Sequence, residues 1–298
     1  MPYPAAPDRA RDRTHALSVM CVLAIASVVI AILGATPARV SSSELMGDER
    51  TPGDAAFIAS HRGGAATAPE NTLPAVTAAL DAGFEYVEVD VALTADRHPV
   101  LMHDKSVDRT TDGRGRLASL TLAEVRALDA GSWFDAVYAG TPVPTFTEFL
   151  DVLVAADARA IVELKGGWDA AAIDAAVAEV AARSLERRIV FASFDARTLA
   201  LTAAESEVLS RLLILKHLPS DVVSAVAESG ARGVVVSRKA VLARPGIVDE
   251  LHAVGARVVV YTLNSDTQWD AVTALGVDGI VTDDPHTLSE WQSAYARP

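Results

Sequence analysis

The chain has 298 residues and a formal net charge of −13, and half of its residues are apolar. This length allows one large domain with a well-buried core. The acidic balance argues against a nucleic-acid partner, because binding to nucleic acid depends mainly on Lys and Arg side chains that neutralise phosphates. The only cysteine, Cys21, excludes a disulfide or a thiolate metal site in the rest of the chain.

The amino-terminal region is typical of a membrane segment. A basic stretch, residues 1–15, precedes an uncharged apolar run that we place at residues 16–36. As a helix this run is about 30 Å long, which matches the hydrocarbon thickness of a bilayer. It exceeds the core of an ordinary signal peptide, which favours an uncleaved anchor over a cleaved signal peptide. Both alternatives leave the amino terminus inside and predict an extracytoplasmic domain, anchored to the cell membrane or secreted.

Residues 37–55 are polar and predict a linker, and residues 56–298 predict the folded domain. Short β-rich runs alternate there with segments at helical spacing, which is typical of parallel strands joined by crossover helices. The predicted strands are residues 57–60, 86–93, 99–104, 160–164, 189–194, 212–216, 233–237, 257–263 and 279–283.

These nine strands are one more than a closed barrel of the (β/α)₈ type requires. Only the sequence TADRH separates residues 86–93 from residues 99–104. A parallel crossover needs a dozen or more residues, so these two runs must form an antiparallel hairpin. We therefore predict an α/β fold, a (β/α)₈ TIM barrel with a small insert after the second strand, at approximately residues 104–158. Active sites of such barrels lie where the strands end.

Charged residues occur at several of these strand ends. His61 and Arg62 follow the first predicted strand, and His103 lies on the hairpin. Side chains alternate along a strand, so Glu88 and Asp90 share one face. Glu163 and Lys165 share a face of a later strand in the same way.

The strands that carry these carboxylates are otherwise apolar, and burial of a carboxylate is costly unless it meets a cation. Three inward carboxylates, Glu88, Asp90 and Glu163, therefore predict one bound divalent cation. Ligation by oxygen alone favours Mg²⁺ or Ca²⁺.

Two histidines beside such a cation suit general acid and base catalysis, because an imidazole changes charge near neutral pH. His61 and His103 are the predicted pair. Arg62 and Lys165 supply positive charge for an anionic group, and a guanidinium matches the geometry of phosphate oxygens. Together these groups predict cleavage of a phosphoester.

Several ordered motifs resemble the glycerophosphodiester phosphodiesterase family, which belongs to the phospholipase C-like superfamily. They are HRG and PENT within residues 61–72, ExD at Glu88 and Asp90, HD followed by DRTT within residues 103–111, ExK at Glu163 and Lys165, and the late sequences YTLN and GVDGIVTDDP. The resemblance extends from Phe57 to Leu288. It implies a TIM barrel with an insert, a divalent metal that is often Ca²⁺ or Mg²⁺, and hydrolysis of a small glycerophosphodiester to sn-glycerol 3-phosphate and an alcohol.

The resemblance also assigns roles. His61 and His103 match the acid/base pair, the three carboxylates match the metal ligands, and Arg62 and Lys165 match phosphate contacts. Glu70 and Asn71 of PENT match supporting positions, and for Glu70 two roles stay open, a place in the shell around the metal or, from its spacing to Thr67, a helix cap. Tyr261 stands where the family often has Trp, near the expected substrate pocket, which leaves the preferred alcohol open.

Two alternatives remain at this stage. A lipid-directed enzyme of the same superfamily, such as a lysophospholipase D, a sphingomyelinase D or a phospholipase C-like enzyme, would suit a membrane-tethered chain. A non-catalytic surface binding protein on the same barrel is disfavoured, because every predicted metal ligand, acid/base residue and phosphate-contacting residue is present in the sequence. The sequence does not indicate an oligomeric state.

Overall fold

The computed structural model describes residues 42–156 and 158–295. The predicted basic stretch and membrane segment, residues 1–36, lie outside the described residues. Among the residues that are described, no helix combines the length and the hydropathy needed to cross a bilayer.

The described part of the chain contains nine strands and eleven α-helices. The strands are β1 (Phe57–Ser60), β2 (Tyr86–Leu93), β3 (Pro99–Leu101), β4 (Arg159–Leu164), β5 (Ile189–Ser193), β6 (Ser210–Leu215), β7 (Gly233–Ser237), β8 (Arg257–Tyr261) and β9 (Gly279–Thr282). The helices are α1 (Ser42–Met46), α2 (Leu73–Asp81), α3 (Leu122–Arg126), α4 (Phe146–Ala155), α5 (Ala170–Ala182), α6 (Ala196–Glu205), α7 (Val222–Glu228), α8 (Arg238–Ala243), α9 (Ile247–His252), α10 (Asp266–Thr273) and α11 (Pro285–Tyr295).

Eight of the strands form a closed parallel barrel. Their order is β1-β9-β8-β7-β6-β5-β4-β2, and a parallel pairing of β1 with β2 closes the ring. The remaining strand, β3, pairs antiparallel with the end of β2, with Val91 opposite Leu101. The predicted TIM barrel and its extra hairpin are therefore confirmed.

The barrel interior is apolar over most of its depth. Alternate residues of the strands point inward and form one buried cluster: Phe57, Ala59, Tyr86, Ile161, Val190, Ala192, Leu212, Ile214, Val235, Val259 and Val281. The other face of each strand packs against the surrounding helices. Because Tyr86 and Ile161 point inward, the same alternation turns Glu88, Asp90 and Glu163 inward near the carboxyl ends of β2 and β4.

The insert is shorter than the predicted range 104–158. Helix α4 starts with a capping box, in which Thr145 and Glu148 satisfy each other's backbone amides. It buries Phe149 and Leu150 in the cluster that also contains β2 and β4 residues. Since α4 connects β2 to β4 on the outside of the barrel, it belongs to the ring of helices, and the true insert ends before Thr145. The insert packs around Val107 in a small core that it shares with Val100 and Met102 of the hairpin.

Part of the predicted linker, residues 37–55, packs against the barrel. Helix α1 places Leu45 and Met46 among the buried interior residues. The Tyr86 hydroxyl donates to the carbonyl of Leu45, and Arg257 Nη2 donates to the Gly47 carbonyl over 2.9 Å. Tyr86 and Arg257 lie where their strands begin, so this segment closes the amino-terminal end of the barrel. Two adjacent apolar residues in a polar stretch are too few to show helical periodicity in the sequence.

Replacing Leu45 by Ala is expected to lower the free energy of unfolding by about 2–4 kcal/mol, because it empties a fully buried site at the end of the barrel. The measurement is urea unfolding of the full chain. Val137→Ala is the matched control, since Val137 is 79% exposed. An unfolding midpoint for Leu45→Ala equal to that of the wild type would mean that this segment contributes nothing to the fold.

Candidate active site

Three carboxylates lie together at the carboxyl end of the barrel. The register of β2 and β4 places Asp90 directly beside Glu163, and Glu88 lies one alternation earlier on β2. One oxygen atom from each of the three residues lies within 4.8 Å of the others. Glu88 and Asp90 are buried and Glu163 is nearly so. The structure thus brings the three predicted metal ligands into one cluster.

Burial and mutual repulsion change how these groups ionise. Burial, with the nearby charge of Asp90, raises the pKa of Glu88 to about 8. The same two causes raise the pKa of Glu163 to about 7. Burial also acts on Asp90, but Lys165 and Arg62 outweigh it and lower the pKa of that carboxyl below its ordinary value. The two glutamates therefore tend to keep their protons, and their charged forms need more positive charge than Arg62 and Lys165 supply.

Two cations contact the cluster. Lys165 Nζ lies 2.9 Å from Glu163 Oε1 and 3.4 Å from Asp90 Oδ1. Arg62 Nε lies 3.4 Å from Asp90 Oδ2, and the Arg62 backbone amide donates to Glu88 Oε2 over 2.9 Å. Both predicted phosphate-contacting residues therefore border the carboxylates.

The loop after β1 holds Arg62 in an unusual backbone conformation. Arg62 adopts a left-handed conformation, with φ of 54° and ψ of 29°, which costs a non-glycine residue about 1 kcal/mol. Gly63 follows with φ of 85°, and a Cβ there would lie 2.8 Å from the backbone of Ala75 and Val76. Only glycine fits at position 63, so the turn that directs Arg62 inward depends on it.

Asn71, farther along the same loop, also supports the cluster. Its side-chain amide donates to Asp90 Oδ2 over 2.9 Å, and its carbonyl oxygen accepts from the Asp90 backbone amide over 3.0 Å. Asn71 is also left-handed, with φ of 55°. These two hydrogen bonds fix the Asp90 carboxylate, which suits the predicted supporting role of Asn71.

His61 is oriented by a chain of polar groups at the end of β9. Its Nδ1 lies 2.5 Å from Asp283 Oδ1, and Asp283 Oδ2 accepts from the Asn264 side-chain amide over 2.6 Å. Burial opposes the protonated imidazole, but the bond to Asp283 together with the nearby charges of Glu88 and Asp90 outweighs it, so the pKa of His61 is raised.

His103 has a similar acidic partner that is itself neutralised. Its Nδ1 lies 2.7 Å from Asp104 Oδ1, and Arg109 Nε donates to Asp104 Oδ2 over 2.7 Å. Arg109 lowers the pKa of Asp104 to about 2. Burial lowers the pKa of His103. The two predicted catalytic histidines thus share one arrangement, in which an aspartate binds Nδ1, but their pKa values move in opposite directions.

Glu70 joins two arginines. It accepts from Arg62 Nη1 over 2.6 Å and from Arg109 Nη1 and Nη2 over 2.7 and 2.8 Å. It does not cap the following helix, because α2 begins at Leu73 with Thr72 as its N-cap. Among the described residues it also lies outside the group of carboxylates that could hold a metal. Its contacts hold Arg62 and Arg109 together, which suits the predicted supporting role of Glu70.

A cavity of about 760 Å³ opens above the carboxylates. Its lining includes His61, His103 and Lys165, together with the aromatic rings of Phe194 and Tyr261. Tyr261 packs edge-on against Phe194, with ring centroids 6.3 Å apart. The predicted substrate-pocket residue Tyr261 therefore lines the same cavity as the histidines.

The residues present fit a hard divalent cation. Carboxylate oxygens only accept hydrogen bonds, and among the described residues Asp90 Oδ1 is buried without a hydrogen bond, although Lys165 Nζ lies 3.4 Å from it. Buried polar atoms are almost always satisfied, so an orphaned oxygen within a carboxylate cluster calls for a cation. The residues that would hold it are Glu88, Asp90 and Glu163.

Sequence reasoning assigned no role to Asp283, Asp104 or Arg109, although all three lie within the quoted motifs. A signal for Asp283 was present, because it directly follows the last strand of the barrel and that strand neighbours β1. Arg109 lies in the irregular insert, where no periodicity predicts its direction. Its contact with Glu70 could be found only from the fold.

Comparison with known proteins places this geometry in a family. The profile of the glycerophosphoryl diester phosphodiesterase family matches residues 61–287. A glycerophosphodiester phosphodiesterase of Caldanaerobacter subterraneus subsp. tengcongensis is 29% identical over 241 residues, which cover 78% of this chain and 96% of that protein.

Solved structures agree with the sequence match. A phosphodiesterase of Oleispira antarctica, in complex with the product sn-glycerol-3-phosphate, has a TM-score of 0.72 and 27% identity over 80% of this chain and 96% of its own. A glycerophosphodiester phosphodiesterase of Agrobacterium tumefaciens has a TM-score of 0.68 and 28% identity over 79% of this chain and all of its own. The chain therefore belongs to the glycerophosphoryl diester phosphodiesterase family and is an enzyme of that family.

Proposed function

We propose that this protein hydrolyses glycerophosphodiesters to sn-glycerol 3-phosphate and an alcohol, with a divalent cation and with His61 and His103 as the acid/base pair. The observation that carries the proposal is the cluster of Glu88, Asp90 and Glu163 in a cavity that both histidines line. The Oleispira antarctica relative, which binds sn-glycerol-3-phosphate as its product, supports the substrate class.

The three carboxylates would hold Mg²⁺ or Ca²⁺, which when bound stabilises negative charge on the phosphoryl oxygens. Arg62 and Lys165 bring two positive charges to the same rim. A phosphate that enters the cavity can accept from both, because phosphate oxygens pair well with guanidinium and ammonium groups. The strained loop and Glu70 fix Arg62 before substrate binds, so less ordering is needed during the reaction.

The histidines move the protons. Each ring binds an aspartate through Nδ1, which leaves Nε2 for proton exchange with substrate. One imidazole accepts a proton from the attacking hydroxyl and the other donates a proton to the departing alkoxide. Asp283 and Asp104 orient the rings and stabilise their protonated forms, as positioning residues.

The lipid-directed alternative requires a site for an acyl chain. Phe194, which is 42% exposed, gives the cavity wall an apolar surface that an acyl chain could contact. The assay therefore includes a lipid substrate. Turnover of a lysophospholipid, measured beside turnover of its deacylated diester, separates the two.

Replacing His61 or His103 by Asn is expected to lower kcat for release of glycerol 3-phosphate from glycerophosphocholine by at least about 100-fold, because each removes a proton-transfer group. Binding of Ca²⁺ or Mg²⁺, followed by calorimetry, should persist in both variants. EDTA should abolish wild-type activity, and either cation should restore it.

His98→Asn is the matched control, because His98 lies in the hairpin turn with a side chain 54% exposed. Wild-type turnover in either His61→Asn or His103→Asn would refute the acid/base assignment. Full activity after metal removal would refute the proposed dependence on a cation.

In EDTA the free energy of unfolding is expected to fall by at least about 2 kcal/mol as the pH rises from about 5 to about 8. The folded state keeps protons on Glu88 and Glu163, whose pKa values are raised from 4.5 to about 8 and about 7. The unfolded chain has already lost these protons above its ordinary carboxyl pKa. Because the folded state binds more protons in this range, deprotonation favours unfolding.

Chemical denaturation at several pH values measures this slope. Glu88→Gln should flatten it, and a saturating divalent cation should flatten it in the wild type, whereas the exposed control Glu290→Gln should not. Equal slopes for the wild type and Glu88→Gln would show that this carboxyl does not retain its proton.

The basic stretch and the apolar run at residues 16–36 support an extracytoplasmic location, which we also propose. Cell fractionation should recover the full chain in the membrane fraction, with its catalytic domain accessible to protease added from outside. A cleaved signal peptide would instead give a secreted domain. Recovery of the full chain in the soluble cytoplasm would contradict the proposed location.

A further inference from the structure

A second cavity adjoins the catalytic cavity and shares His103 with it. It measures about 680 Å³ and shares His103, Lys105, Lys165 and Gly166 with the cavity above the carboxylates. We call it the His103-side cavity. Its remaining wall comes from the end of β2, the hairpin turn, the insert and the loop after β4. A molecule bound at Lys165 can therefore extend into it without leaving the protein surface.

The charge of this cavity is opposite to that of the whole protein. Four cationic side chains line it, from Arg97, Lys105, Arg116 and Lys165, against the single carboxylate of Asp104. The chain as a whole carries a formal net charge of −13. A concentration of positive charge in an acidic protein attracts an anion to that place and repels a cation from it.

Two of the four cations are not engaged elsewhere. Arg97 pairs with Asp169 over 2.6 Å, and Lys165 pairs with the metal-site carboxylates. Asp104 is already bound by Arg109. In the described part of the chain, Lys105 and Arg116 form no ion pair, and both are exposed on the cavity wall. They remain available to a ligand.

The cavity also offers apolar surface between its charges. Leu93 and Leu117 line it and are themselves buried, and Ala118 lies beside them. This mixture suits a small polyol chain, whose carbon atoms contact the apolar wall while an anionic group reaches the cations.

We propose that the His103-side cavity binds the alcohol half of the substrate and selects an alcohol that carries a second anionic group, such as a further phosphate ester. This inference rests on the proposed function, because the glycerol phosphate half is set by the reaction and only the alcohol can vary. Lys105 and Arg116 are the specificity-determining residues. A cationic alcohol such as choline meets repulsion at the same place.

The experiment compares three diesters with the metal-loaded enzyme at low ionic strength. Their alcohols are cationic in glycerophosphocholine, neutral in glycerophosphoglycerol and anionic in bis(glycerophospho)glycerol. We expect the highest kcat/KM per scissile bond for the anionic substrate. We define the selectivity ratio as kcat/KM for the anionic substrate divided by kcat/KM for the cationic substrate. Lys105→Met and Arg116→Met should each lower this ratio by about fivefold, because each removes one partly solvated charge pair. The double variant should lower it more than tenfold, and added salt should shrink the effect.

Arg114→Met is the matched control. Arg114 is a cation of the same insert, its side chain is 82% exposed, and it does not line the cavity. Its removal changes the net charge of the protein by the same amount and should leave the ratio unaltered. Lys105→Arg should also keep the ratio, because it preserves the positive charge.

Cardiolipin vesicles present a comparable anionic alcohol on an acylated lipid. Turnover of the soluble diester alone identifies a deacylated source, and turnover of the vesicles alone identifies a lipid headgroup. In both cases, slower turnover of that substrate by the Lys105→Met and Arg116→Met variants supports the proposed site.

The inference is overturned if the wild type prefers the cationic or neutral diester, or if the two variants slow all three substrates by the same factor. Binding of the three diesters to metal-loaded His61→Asn, measured by calorimetry, gives a readout that does not need turnover. If no diester is hydrolysed but bis(glycerophospho)glycerol still binds, and Lys105→Met and Arg116→Met weaken that binding, the proposed function is refuted and the proposed binding site is supported.

Discussion

Repulsion among three carboxylates in a poorly solvated barrel mouth is the constraint on which the rest of the structure depends. Glu88, Asp90 and Glu163 are forced together by strand alternation and by the pairing of β2 with β4. Neither burial nor repulsion favours their charged forms, as the raised pKa values of the two glutamates show. The fold keeps this cluster by surrounding it with cations and directed hydrogen bonds, at a cost in stability that a binding partner can recover.

The surrounding groups form a connected polar network. Asn71 fixes Asp90 through two hydrogen bonds, and Arg62 reaches Asp90 and Glu88 from a left-handed turn. Glu70 then ties Arg62 to Arg109, which supports the partner of His103. Few members of this network could be replaced singly, since each satisfies more than one neighbour. The strain at Arg62 is an expected feature of such a site.

Much of the fold and of the cluster could be predicted from the sequence, because both depend on short-range periodicity. Alternation on β2 and β4 placed Glu88, Asp90 and Glu163 on the inner face, and the short TADRH connection predicted the hairpin that carries His103. Contacts between distant irregular segments could not be predicted in this way. The pairing of Glu70 with Arg109 depends on the path of the insert, and the burial of Leu45 depends on a gap at the end of the barrel that only the closed ring creates.

The bridge from Arg109 to Glu70 limits how the insert of this protein can change. The insert packs around a small core that it shares with the hairpin, and Arg109 connects it to the polar network around the carboxylates. Loops of the insert that contact neither the barrel mouth nor the His103-side cavity can change length and composition more freely. A graft of a whole insert from another barrel would have to supply a carboxylate beside His103 and a guanidinium that reaches Glu70, so the module is exchangeable in its outline and constrained where it meets the barrel.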